Sequence, residues 1–121
     1  MGIEEFGGAV DSQIGFLVVT SNDVPGYRID RVIGEVFGLT VRSRHLGSQI
    51  GAGLKSMFGG ELRGLTRTLV ESRNQAMDRL VQQAQARGAN AVIAMRYDVT
   101  EAGDNGTEVC AYGTAVVLTP S

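Results

Sequence analysis

Apart from methionine, this chain holds two side chains that could bind a soft metal ion, His45 and Cys110, its single histidine and single cysteine. Zinc or copper ordinarily takes three or four such ligands at about 2.0–2.3 Å. Neither a CxxC nor an HxxxH spacing occurs, so one chain cannot complete a soft site. A symmetric assembly could do so, by bringing several copies of His45 towards a rotation axis. A second chemistry competes at the same place, because Arg42 and Arg44 stand beside His45. Planar guanidinium forks suit phosphate or carboxylate oxygens, so the cluster could bind an anion. The same charges could instead pair across a subunit boundary with Glu61 or Glu71, and Arg73 belongs to this anion or interface set. Inter-subunit pairing is the preferred reading. Cys110 lies in the run VCAYGTAVVL, which reads as strand core, where a free cysteine behaves as a small hydrophobe.

Covalent catalysis needs a nucleophile held against a base, and nothing in the spacing supplies that pair. Ser43 and Ser48 flank His45, but closeness in sequence does not make a triad. Glu61, Glu71 and Asp98 are the acids expected to be partly buried, and no two of them define a general acid and base. The reading is therefore of a protein without enzymatic activity.

The elements that would position these residues follow from periodicity. Phe16 to Thr20 (FLVVT) reads as a short apolar strand, and Val24-Pro25-Gly26-Tyr27 as a turn. Ile29 to Ser43 reads as one long strand, with Gly34 and Gly38 marking bends or bulges. The segment from Gly38 to Leu62 then alternates glycines with Leu46, Ile50, Leu54, Met57 and Phe58. That spacing predicts a short helix or turn packed close to another backbone, and it closes on a sharp structural turn at Gly59 and Gly60. Read as a membrane-binding helix, the insert from Leu46 to Phe58 would lack a cationic face, since Lys55 is its only charge.

The clearest helix carries Leu65, Leu69, Val70, Ala76, Met77, Leu80, Val81 and Ala84 on one stripe. Thr68 and Glu71 fit a capping box, with an earlier start near Gly60 as the alternative. Gly88 fits the C′ position, and a helix of about 22 residues would be roughly 33 Å long. Ala89 to Val99 and Val109 to Leu118 read as strands joined by a Gly103-to-Gly106 hairpin. One helix can cover only one face of the resulting sheet, and neighbouring subunits are the simplest cover for the other.

With 121 residues, the chain has the length of one domain, read as a loose leader over 1–15 and a single domain over 16–119. A net charge of −2 argues against nucleic acid as a partner. The lone cysteine fits a reducing compartment, and the acidic opening MGIEEFGG lacks the basic residues of a secretory signal. No stretch approaches the roughly 20 apolar residues of a membrane span, so the expected location is the cytoplasm, with no membrane partner.

Several blocks in order resemble the YbjQ family, small bacterial and archaeal proteins often labelled as heavy-metal-binding. They are Gly26-Tyr27, Val41-Arg42-Ser43-Arg44, Gly59-Gly60-Glu61-Leu62, Glu71-Ser72-Arg73-Asn74-Gln75-Ala76, Gly88-Ala89-Asn90-Ala91-Val92 and Tyr112-Gly113-Thr114-Ala115-Val116. The resemblance runs from about Thr20 through Leu118 and implies an α+β, dodecin-like subunit. Its small sheet, three- to four-stranded and antiparallel, would wrap one long helix. The subunits would assemble as a ring, a homopentamer or stacked pentamers. It also implies a self-assembling binding or scaffold protein with a divalent or heavy metal ion at subunit interfaces. The alternative is an oligomer that binds small molecules or anions, or acts on them, in pockets between protomers.

Overall fold

The structure, a computed structural model, describes residues 15–42, 60–101 and 106–121. The leader before residue 15, the insert up to Gly59 and the centre of the Gly103-to-Gly106 hairpin lie outside the described residues. Among the described residues, four strands and one helix follow in the order β1 (Leu17–Val18), β2 (Tyr27–Arg42), α1 (Gly60–Ala86), β3 (Ala91–Glu101) and β4 (Thr107–Pro120). The strands form one sheet in the order β1-β3-β4-β2.

The antiparallel expectation needs one correction, because β1 runs parallel to β3, with Leu17 opposite Ala91 and Val18 opposite Val92. The cause is topological: β1 and β2 occupy opposite edges of the sheet, so the connection between them is not a hairpin. The other pairings are antiparallel. Asn90 N–H donates to Val116 O at 3.2 Å, tying the entry to β3 to the far end of β4. Ser121 N–H donates to Gly26 O at 3.1 Å, tying the exit of β4 to the entry of β2. The sheet is therefore mixed, and the expected FLVVT strand shrinks to Leu17–Val18.

The chain divides into two compact units, each drawing on several elements. The first gathers residues 15–36, 81–96 and 112–121. Its core includes Ala91, Ile93, Val116 and Leu118, with Leu17, Val19, Val24 and Tyr27 packed against them. Tyr27 N–H donates to Val24 O at 3.0 Å across the expected turn, where Gly26 takes φ +90°. The helix ends here in a Schellman motif: Gly88 N–H bonds Gln85 O at 3.0 Å and Ala89 N–H bonds Ala84 O at 3.1 Å. Gly88 supplies the left-handed residue (φ +88°) that this cap requires. Asn90 then acts as a strand in miniature, accepting from Leu118 N–H at 2.8 Å and donating from Nδ2 to Leu118 O at 3.0 Å.

The second unit gathers 37–42, 60–80, 97–101 and 106–111. Ser72, Ala76 and Leu80, spaced by four on α1, are buried, and Thr40 is buried on β2. Two helix expectations are corrected. The helix begins at Gly60, the earlier start that the sequence offered as the alternative, so Thr68 is an interior residue whose hydroxyl donates to Gly64 O at 3.1 Å, not a cap. Leu69 and Val70 are 41% and 45% exposed, because the buried row runs through Ser72 and successive i+4 positions and leaves them to one side.

Strand β2 forms a sheet edge, and two arginines, Arg79 of α1 and Arg87 just past its end, reach its carbonyls. In the first unit Arg87 donates to Glu35 O at 2.8 Å and to Ile33 O at 3.2 Å. In the second, Arg79 donates to Leu39 O. In each unit a β2 carbonyl thus has an arginine donor. Occupying them blunts an edge that would otherwise invite strand addition.

Candidate functional site

The candidate residues are dispersed. His45, Arg44 and Gly59 lie outside the described residues, as does the side chain of Glu61, while Gly60 is the first residue of α1. Arg42 ends β2, and its Nε donates to the Ser72 hydroxyl at 2.7 Å. Thr40 donates to the Ser72 carbonyl at 3.2 Å, so Ser72 receives two β2 side chains at a buried point. Glu71 and Asp98 are both exposed, which corrects the expectation of partly buried acids. Each points away from the buried row of its own element. Among the described residues, no group of three or more His, Cys, Asp or Glu side chains comes together as a metal site.

Cys110 is half-buried, where the sequence reading put it in the core. Alternation along β4 explains the difference. Val109 and Ala111 are buried, and Val109 lies on the sheet face that meets α1, since it lines a cleft with helix residues. Cys110 therefore lies on the opposite face. On β2, Gly38 touches the helix backbone, so Phe37, Leu39 and Val41 also belong to that opposite face. Phe37 and Val41 are 45% and 59% exposed there.

One concavity among the described residues was not anticipated from the sequence. It is an open cleft of about 320 Å³ lined by Thr66, Leu69, Val70 and Arg73 of α1, Tyr97 and Val99 of β3, and Val109 of β4. The surface it presents is almost wholly apolar, and at one end the Arg73 guanidinium carbon sits 4.7 Å from the Tyr97 ring centroid, a cation–π distance that places a charge at the rim. Burial raises the Tyr97 pKa and the nearby Arg73 charge opposes that shift, so the phenol is protonated and able to donate at neutral pH. Thr66, Leu69, Val70 and Arg73 recur at i, i+3, i+4 and i+7. That pattern in the sequence could have flagged a second helix face ending in a cation.

Together these features define, among the described residues, an α+β fold of one long helix and a four-stranded mixed sheet. The chain belongs to the YbjQ family, whose model, described as "Putative heavy-metal-binding", matches residues 16–119. It is 78% identical over 118 residues to a UPF0145 protein of Streptomyces griseus, covering 98% of each chain. A UPF0145 protein of Thermoplasma volcanium is 48% identical over 90% of this chain and 89% of its own. Among solved structures, a DUF74-family protein of unknown function from Pediococcus pentosaceus shares the fold. Its TM-score is 0.50 at 14% identity, covering 88% of this chain and 99% of that one. Among the described residues, no helix is long and apolar enough to cross a membrane.

Proposed function

We infer that the protein is a non-enzymatic, self-assembling binding or scaffold protein, in which a closed ring of copies holds a divalent or heavy metal ion at subunit interfaces. The observation that carries this reading is the Phe37–Leu39–Val41 stripe of β2. It is an apolar row on the sheet face that the helix does not cover. A sheet face of this kind normally finds a partner layer, and a second copy is the economical one. Cys110 lies on that same face, so packing copies there would bring a thiol to the contact. One Cys and one His per chain require any soft site to recruit ligands from more than one subunit. The family's heavy-metal description supports this reading, and the family resemblance sets the expected ring size at five in a cytoplasmic protein.

Native mass spectrometry of the untagged protein tests assembly and metal together. The expected result is a discrete multiple of the 12.8 kDa chain, with bound metal that is lost in His45→Ala. A monodisperse monomer at micromolar concentration would overturn the reading.

A further inference from the structure

We propose that the cleft between the first half of α1 and strands β3 and β4 is a binding site for a small amphipathic carboxylate, its acyl chain on the apolar wall and its carboxylate on Arg73.

The wall is built from Leu69, Val70, Val99 and Val109, and three of these are conspicuously uncovered: Leu69 41%, Val70 45% and Val99 60% exposed. Such side chains in a concavity favour an apolar occupant, since covering them removes their surface from water. A volume of about 320 Å³ falls at the small end of the roughly 300–1,000 Å³ usual for ligand sites. That limits the occupant to a small molecule.

The polar end selects the head group. Arg73 lies over the Tyr97 ring, which holds its charge beside the apolar wall. A guanidinium's planar N–H donors suit the two oxygens of a carboxylate, which Arg73 could receive at the rim of the cleft. Stacking also restrains a long side chain that would otherwise lose rotamer freedom on binding. The protonated Tyr97 hydroxyl can add a second donor at the same end. A cation and a neutral donor beside an apolar trough exclude a cationic ligand and favour an anion with a hydrocarbon tail. This site uses neither His45 nor Cys110, and it stands or falls separately from metal binding at the ring interface.

The test is titration of the protein, in the oligomeric state in which it purifies, with octanoate and with octanol, followed through methyl resonances in NMR. The expected result is saturable octanoate binding, with shifts centred on Leu69, Val70, Val99 and Val109. Octanol should bind distinctly more weakly. Arg73→Gln should weaken octanoate about tenfold, the usual order for loss of a charge-assisted hydrogen bond, and leave octanol unchanged. Val99→Asp should remove binding of both. Lack of saturation with octanoate would sink the proposal, and so would shifts centred elsewhere or equal affinity for the two ligands. The comparison of ligands on the unmodified protein decides the matter even if a variant fails to fold.

Discussion

Gly38 on β2 lies directly against the backbone of Ala76 on α1, closer than any side chain would allow. A Cβ built at Gly38 would overlap the Ala76 carbonyl and the Leu80 amide, and would come within 2.9 Å of Arg79 Cβ. Three buried positions, Ser72, Ala76 and Leu80, depend on that approach. Gly38→Ala is therefore expected to destabilise the fold by about 1–3 kcal/mol, the range for overpacking a tight contact. Urea unfolding checks it. A wild-type midpoint would show that the strand and helix can separate without loss.

Ser72 is the other fixed point between β2 and α1. Ser72→Ala removes the acceptor for Arg42 Nε and leaves the Thr40 bond to the Ser72 carbonyl in place. A loss of about 1 kcal/mol is expected, because half-buried Arg42 can turn to water. Arg42→Ala should cost a similar amount, and the double variant less than the two losses added, since both remove one shared interaction. Full additivity in a double-mutant cycle would mean that the bond contributes nothing to stability.

The sequence made the element order legible because each element carried its own periodicity. Tyr27 to Arg42 alternated, the helix repeated by four, and Gly88 punctuated its end. What escaped were properties set by a partner element. Gly34 and Gly38 both read as bends or bulges, yet only Gly34 takes a positive φ, +136°, and Gly38 serves close packing. Cys110 read as core because its run is apolar on both parities, and only the position of the helix decides which parity is covered. Ser72 was passed over because an apolar template skips a polar residue at a buried point. The cleft escaped for the converse reason: Leu69 and Val70 were credited to a core that needed neither.

Ala94 provides a test of backbone strain inside β3. It is the one described non-glycine residue with positive φ, at +55°, where its N–H donates to Ser21 O at 2.8 Å. Met95 N–H reaches Val19 O at 3.1 Å beside it, so the conformation is held by the segment following β1. Ala94→Gly is expected to be neutral or to stabilise by up to about 1 kcal/mol, since glycine enters this region without a steric penalty. Ala94→Val should destabilise by about 1–3 kcal/mol, because β-branching opposes a positive φ. Thermal melts of the two variants should move in opposite directions or, for glycine, not move. A valine variant that melts like wild type would show that β3 relaxes here at no cost.

Tyr97 carries the pH dependence that the cleft predicts. Burial raises its folded-state pKa above the usual phenol value of 10.0, and Arg73 offsets part of that rise. The folded chain therefore holds the phenolic proton more tightly than the unfolded chain does. The corresponding stability is fully present below about pH 10 and is lost as the pH climbs through the folded-state pKa. Stability should accordingly fall above pH 10 in wild type. Tyr97→Phe should remove the part of that slope due to this residue while leaving Tyr27 and Tyr112 in place. Urea midpoints measured at pH 8 and above pH 10 would show it, and parallel losses in both proteins would mean that Tyr97 titrates as it does in the unfolded chain.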